Sequence, residues 1–447
     1  MFHWFRKLTS ANLLKFGLGL FLFLLPWPTI WIYQERYLNG AKWEQGTLGF
    51  YGTEILLWLS IGLFIVWYWK NFKLQAANNK FKLTRDRVFV FSIFLFVLYL
   101  FLSIFWAIDA AVALQQALHV TEAFLLFFML YLGPLRFAPA AVWFIAGATI
   151  QSILGIWQFL AQSTFALKWL GLVSHPVWEA GTSVVSSPEI GRWLRAYGSF
   201  SHPNVFGGYL AISILVTSVL LLRVKSQGIK YRLLIAASFI LQVAALFFTF
   251  SRSAWIAAAV AAVFHAYLIK SRSSYSHSGL SLILTAFVLS IIGLTLFFPL
   301  AQTRFARNSI SEWRSTEERI LGYEEALELF KKKPWFGAGV GNYTAALHQL
   351  HPSQPGWEYQ PVHNVFFLVA VETGMAGVIL LAIIFWAFCA LHSIFFSLDA
   401  KAVLLFILFF LSLLFFDHYL FSSYVGLLFT AVFLSIFLRI HPRLLHR

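Results

Sequence analysis

"PVHNVFFLVAVETGMAGVILL", residues 361 to 381, is apolar enough to enter a bilayer, yet it opens with His363-Asn364 and carries Glu372, Gly374 and Gly377 further in. Similar apolar runs of about 18 to 25 residues recur along the chain, the length an α-helix needs to cross a hydrocarbon core of about 30 Å. A membrane-spanning strand needs only about ten residues, so these runs exclude a β-barrel. Composition agrees: 60% of residues are hydrophobic, 50 are Phe, 18 are Trp and only 11% are charged, far from a soluble globular domain. The fold class is therefore an all-α polytopic membrane protein. What remains is why a spanning segment tolerates those polar residues and glycines.

Spans are expected near 13-33, 52-69, 88-107, 113-132, 139-161, 205-223, 231-250, 253-270, 279-300, 364-396, 402-416 and 419-438, about twelve transmembrane helices. The run at 364-396 exceeds one straight crossing and is expected to break near Gly374-Met375-Ala376-Gly377. The first run follows Arg6, Lys7 and Lys15 but no small-residue cleavage site comes after it, so it reads as a retained helix rather than a signal peptide. The single cysteine, Cys389, permits no internal disulfide and no cysteine metal site.

Lys and Arg concentrate in alternate short loops, notably 70-87, 223-232, 270-272 and the C-terminal segment. By the positive-inside rule these loops and both termini are cytoplasmic. The formal charge of +15 then reflects topology and an anionic inner leaflet, and gives no reason to invoke nucleic acid. The organisation expected is N-terminal helices over 1-161, an outer loop at 162-204, helices over 205-300, a large outer loop at 301-363 and C-terminal helices over 364-447.

The oddest polar residues fall on the outer side under this topology. "RAYGSFSHPNVFGGYL" runs from Arg195 through His202-Pro203-Asn204 into a span; "FTFSRSAWIA" puts Arg252 in a turn of a few residues between two spans. A guanidinium cannot be neutralised there and must find water or an anion. The large loop adds Arg304, Arg307, Arg314 and Arg319. Arginines and histidines at a membrane surface suit an anionic lipid headgroup such as a diphosphate. Plainer readings exist for each: Arg252 as a helix-end anchor, His363 as an interfacial histidine, His202-Pro203-Asn204 as a helix-entry turn with Asn204 as cap. Within the loop, Ser315 to Glu318 reads as a capping box opening an amphipathic helix at Arg319, with Ile320, Tyr323, Leu327 and Phe330 on one face and Pro334 as its stop. "WFGAGVGNY" lacks the preceding strand a nucleotide loop requires and reads as a tight, backbone-exposing turn.

"RILGYEEALELFKKKPWFGAGVGNY" followed by "HNVFFLVAVETGMAG" resembles the shared domain of the O-antigen ligase and O-antigen polymerase families. Its marks are an Arg ahead of an aromatic, a Pro-aromatic-x-Gly-x-Gly turn, and His-Asn followed at fixed spacing by two glycines. Arg319, the turn from Pro334, and His363, Asn364, Gly374 and Gly377 match; "FTFSRSAWIA" carries the family's membrane-edge arginine onto Arg252. Tyr323 stands where many relatives have Trp. The resemblance covers roughly residues 195 to 380.

That resemblance implies glycosyl transfer at the outer face of a bacterial cytoplasmic membrane. The donor is a glycan on undecaprenyl diphosphate, and the acceptor a lipid, glycan or protein hydroxyl in ligases, polymerases and protein O-oligosaccharyltransferases respectively. His363 would be the general base, with Arg252 and Arg319 clamping the leaving diphosphate. Arg195, His202, Asn204, Tyr323 and Asn364 are expected to bind substrate, and no metal or cofactor is expected, for want of an outer Asp/Glu cluster. Glu372 reads as a structural or cavity residue. A lipid-linked oligosaccharide flippase is the alternative of another class, but its binding charges would lie near the bilayer midplane.

Overall fold

The computed structural model describes residues 9–77, 85–187, 189–223, 228–270, 276–305, 310–391 and 400–444. Of the loop residues singled out above, Arg307 lies outside them. The chain is mostly helical, at 73%, with little sheet. The helices are α1 (Ser10–Leu24), α2 (Gly52–Ala77), α3 (Arg85–Ser103), α4 (Ala110–Leu132), α5 (Phe137–Ala161), α6 (Pro203–Arg223), α7 (Ile229–Phe248) and α8 (Arg252–Lys270). They continue with α9 (Ser276–Leu296), α10 (Phe298–Phe305), α11 (Ile310–Lys332), α12 (Tyr343–Leu350), α13 (Val365–Leu391), α14 (Ala400–Leu414), α15 (Tyr419–Ser422) and α16 (Tyr424–Leu444).

Among the described residues seven helices, α2, α4, α5, α6, α7, α8 and α13, are long and apolar enough to cross a membrane. The α9–α10 pair, bent by 98° at its break, makes eight if taken as one span. Shorter apolar helices, α1, α3, α14 and α16, stand at the remaining expected positions. α6 is the axis of the bundle, buried along nearly its whole length and packed against α5, α7 and α8. Other main pairings are α4 with α16, α8 with α14, α1 with α2 and α3 with α13.

Two expectations are corrected. The first run does not stay helical to residue 33: it stops where Pro26 and Pro28 remove backbone donors, and strand β1 (Ile30–Gln34) pairs antiparallel with β4 (Leu48–Tyr51). Between them lies the small hairpin β2 (Tyr37–Leu38) and β3 (Ala41–Lys42). The loop helix also begins earlier than the capping box predicts. α11 is already helical at Ile310, so Ser315 and Glu318 sit inside it. Its buried side is Tyr323, Ala326, Leu329 and Phe330 rather than the full stripe, since Ile320 and Leu327 are exposed; helix neighbours one position round the predicted face do the packing.

The connections that precede α2, α4, α6, α8, α13 and α16 gather at one end of the bundle. Thr29 Oγ1 donates to Trp169 O (3.0 Å) and Asn39 Nδ2 to Pro352 O (2.7 Å). Ala196 N donates to Phe248 O (2.9 Å) and Ile108 N to Ala338 O (3.3 Å). A last hairpin there, β5 (Val184–Ser187) with β6 (Gly191–Leu194), leads into the segment carrying Arg195.

Candidate functional site

The break in α13 answers the question its sequence raises. Gly374 holds φ 61° and ψ −172° inside the helix, a conformation essentially confined to glycine. The backbone groups it frees are taken up by the Gly-rich turn. Ala338 N and Gly339 N donate to the carbonyls of Val371 and Glu372 (both 2.9 Å), while Met375 N and Ala376 N donate to Pro334 O (2.8 Å) and Trp335 O (3.1 Å). Irregular backbone at this depth is thus satisfied within the protein. A side chain at Gly374 has no room, because a Cβ there falls 2.4 Å from the Trp335 carbonyl. The Glu372 carboxylate accepts the amides of Gly341 (2.8 Å) and Tyr343 (3.4 Å) and lines a cavity of about 240 Å³.

Upstream of the break, Asn364 caps α13. Its Oδ1 accepts from Phe366 N (2.9 Å) and Phe367 N (3.2 Å), and its Nδ2 donates to Phe415 O (3.3 Å). That leaves His363 just outside the helix, with its side chain 37% exposed and Nδ1 3.5 Å from Asp417 Oδ1, where Asp417 is only 5% exposed. At that distance the contact is electrostatic, short of a made hydrogen bond. Asp417 lies in the turn between α14 and α15. Its Oδ2 accepts from Asn204 Nδ2 (2.9 Å) and its Oδ1 from His418 N (2.9 Å). The His418 ring packs 5.2 Å from that of His363 and its Nδ1 meets Ser422 Oγ at 2.6 Å.

The segment entering α6 completes this cluster. Pro203 takes the first helical position, where a missing N–H costs nothing, and it is His202, not Asn204, that caps: its Nδ1 accepts from Asn204 N at 3.1 Å. Asn204 is thereby free to bridge Asp417 and Arg195, whose Nη2 donates to Asn204 Oδ1 (2.8 Å). Arg195, 4% exposed, also donates from Nε to Thr249 O (2.7 Å) and from Nη1 to Ser183 Oγ (2.7 Å). Its guanidinium is committed to holding Asn204 and the Ser-Arg turn together.

Electrostatics within the cluster separate one charge from its neighbours. Burial opposes ionisation of Asp417, but the imidazoles around it, His363 foremost, hold it well below the usual carboxylate range. Burial, reinforced by Arg195, pushes His202 down to about 3. Burial likewise pushes His418 down to about 4, against the pull of Asp417. Near neutral pH the ensemble is one carboxylate beside two neutral imidazoles and the more exposed His363.

The sequence places Arg252 in the turn between two spans; the structure makes it the first residue of α8, directly after the turn at 249–251. Its Nη1 reaches Arg304 O at 3.4 Å, and Arg304 in turn donates from Nε (3.1 Å) and Nη2 (2.8 Å) to the carbonyl of Phe250. Phe250 is fully buried with φ +49°, a strained non-glycine conformation maintained by those contacts. Arg319 is half-buried on α11. One turn further along, Tyr323 stacks on Phe367 of α13 at 5.4 Å, which seats this helix beside the start of α13. The structure therefore joins Arg195, His202, Asn204 and His363 around Asp417, with Asn364 capping the adjacent helix, whereas Arg252 and Arg319 stand on flanking elements.

The sequence alone does not single out Asp417 and His418. Their signal is "FFDHYLF", an Asp-His pair at a turn between apolar runs on the same side as His363. The sequence shows no outer Asp/Glu cluster, but folding brings carboxylates and imidazoles together at two places among the described residues. In two groups, His363, Asp417 and His418, and Glu54, His119 and Glu122, one donor atom from each residue lies within 4.8 Å of the others. Their members are far apart in sequence, so only folding assembles them. In the first group both carboxylate oxygens already have N–H donors; in the second they do not.

The chain is a largely helical, membrane-type protein, with at least seven described helices long and apolar enough to cross a membrane, and it carries a His363–Asp417 pair at one end of the bundle with arginines on neighbouring elements. Residues 237–382 match the family described as O-Antigen ligase, which bears out the resemblance to O-antigen ligases and polymerases. The matched region carries Arg252, Arg319, His363, Asn364, Gly374 and Gly377. No curated protein matches the chain.

Proposed function

We propose that this protein is a membrane glycosyltransferase of the O-antigen ligase type, moving a glycan from undecaprenyl diphosphate to an acceptor hydroxyl. The observation that carries the reading is the His363–Asp417 pair, with one member exposed and the other buried and ionised. Asp417 keeps the imidazole's Nδ1–H facing it and stabilises the positive charge that forms, so Nε2 is left to take a proton. In the step, the acceptor O–H gives its proton to His363 Nε2 and its oxygen bonds to the anomeric carbon. The carbon–oxygen bond to the diphosphate breaks with its electron pair passing to the leaving lipid diphosphate, and the centre inverts. Arg252 and Arg319, the matched arginines on the flanking elements, meet that developing charge. Arg195, His202, Asn204 and Asn364 hold the cluster in register, and Tyr323 seats the arginine-bearing helix.

The topology that goes with this reading has about twelve crossings, both termini cytoplasmic and the cluster on the outer face of a bacterial inner membrane. Lipid, glycan and protein hydroxyls remain the three acceptor classes, defining ligase, polymerase and protein O-oligosaccharyltransferase. The test is reconstitution in proteoliposomes with undecaprenyl-diphosphate-linked glycan and one acceptor of each class. Wild-type protein should extend one of them, and His363→Ala should bind donor but leave every acceptor unextended. Wild-type turnover by a correctly folded His363→Ala protein would remove the base.

A further inference from the structure

Away from His363, the only other described group with metal-ligating geometry is buried between α2 and α4. Glu54, His119 and Glu122 are 4%, 5% and 2% exposed. Each carboxylate is steered by one N–H donor: Tyr51 N gives to Glu54 Oε2 (2.5 Å), and Trp58 Nε1 to Glu122 Oε1 (2.7 Å). The remaining oxygens differ. Glu54 Oε1 lies 3.2 Å from His119 Nε2, and Glu122 Oε2 is buried with no hydrogen-bond partner. No described Lys or Arg pairs with either carboxylate, so two acidic groups share one imidazole. An orphaned carboxylate oxygen in an apolar bundle is costly unless the group takes up a proton or something positive meets it.

We infer that Glu54, His119 and Glu122 form a binding site for a first-row divalent transition-metal ion, with zinc as the reference case. One nitrogen and two oxygens suit such an ion better than calcium or magnesium, which favour all-oxygen sets. The Glu54–His119 spacing of 3.2 Å is close to the edge of about 3.3 Å that two ligands span when each sits about 2.0 to 2.1 Å from one tetrahedral ion. The Tyr51 and Trp58 N–H groups supply the outer hydrogen bonds that orient metal-binding carboxylates. There is also an access route. His119, Tyr51 and Tyr424 line the 240 Å³ cavity together with Glu44 and Glu372, and its lining contains no Lys or Arg. Such a lining offers no fixed positive charge to hold a diphosphate. Because Tyr424 of α16 packs on His119 with ring centroids 5.0 Å apart, a bound ion would fix α2, α4 and α16 around the cavity. Its role is structural, and no step of the proposed transfer passes through it.

The experiment uses full-length protein purified in detergent without chelator, with metal content read by mass spectrometry. The protein is then stripped with EDTA and titrated separately with Zn²⁺, Mn²⁺ and Mg²⁺ while its melting temperature is followed. Expected are about one transition-metal ion per chain and a rise in melting temperature with Zn²⁺ but not with Mg²⁺. Glu122→Gln should weaken Zn²⁺ binding by more than the roughly 10- to 100-fold typical of losing an outer hydrogen bond, and Glu54→Gln should do the same if Glu122→Gln fails to fold. Asp417→Asn should leave the response intact. Absence of retained metal together with no Zn²⁺ response in the wild type overturns the site. So does an equal Mg²⁺ response, or a Zn²⁺ response lost in Asp417→Asn and kept in Glu122→Gln.

Discussion

Two buried assemblies of carboxylate and imidazole sit in this bundle, and they differ in stoichiometry. Around Asp417, one carboxylate meets His202, His363 and His418 and the Asn204 amide, with Arg195 behind it. Between α2 and α4, two carboxylates share His119 alone. The first is saturated with donors, its one carboxylate is balanced by Arg195, and Arg252 and Arg319 stand on flanking elements, an arrangement that fits the proposed anionic leaving group. The second is short of positive charge and opens on a cavity with acidic walls, so it suits a cation. The same residue types acquire opposite tasks through the ratio in which the fold combines them, since each buried charge must find its complement.

Transfer itself provides the largest expected break between the two. His363→Ala removes the base and should lower turnover by about 10²- to 10⁴-fold. Asp417→Asn should fall short of that, lowering turnover by about 10- to 100-fold with donor affinity little changed, because it loses orientation and charge support rather than the base. Equal turnover in Asp417→Asn and wild type would reduce Asp417 to a packing residue and dissolve the contrast. Substitutions at Glu54 or Glu122 should alter thermal stability before they alter turnover per folded molecule.

The arginines give a smaller and more selective effect. Lysine keeps the charge at 252 but loses the planar fork that can hold two phosphate oxygens, so Arg252→Lys should cost about 1.5 to 3 kcal/mol of transition-state stabilisation, roughly 10- to 150-fold in turnover. The companion Arg319→Lys should cost a similar amount, and the double variant should be non-additive if both grip one diphosphate. Free substitution by lysine at 252, in folded protein, would leave Arg252 as the anchor of the Ser-Arg turn through Arg304.

The two assemblies were unequally legible in the sequence. His363, Asn364 and the glycines at 374 and 377 lie in one contiguous motif, and the break at Gly374 could be expected from span length and glycine spacing. Asn364 and His202, expected from the sequence to bind substrate, also serve as helix caps in the structure, a local task that polarity in a sequence does not distinguish from binding. Asp417 lies more than fifty positions beyond His363, and Glu54 lies in a different span from His119 and Glu122. No periodicity records pairings made by packing between helices. Hydropathy alone carries the first helix too far, because it continues through Pro26 and Pro28 into a β-strand rich in Trp, Ile and Tyr, and apolar content masks the break that the prolines make.

The smallest effect concerns acid, and it isolates the Asp417 cluster. His418 is pushed down to about 4 by burial, against about 6.5 for the unfolded chain. Between those values the unfolded state binds a proton that the folded state refuses, so stability is full above about pH 6.5 and falls as the pH drops toward 4. From pH 7 to pH 5 the loss from His418 alone is up to about 2 kcal/mol. Asp417 adds nothing over that interval, because a carboxylate held below its ordinary range loses its stabilising effect only as the pH approaches and passes below about 3.8. Melting of detergent-purified wild type and His418→Gln at pH 7 and pH 5 reads the difference. Wild type should lose several degrees more than the variant, since glutamine cannot take up the proton in either state. An identical drop in both proteins would mean that the acid sensitivity originates elsewhere, and that burial does not hold His418 neutral against the pull of Asp417.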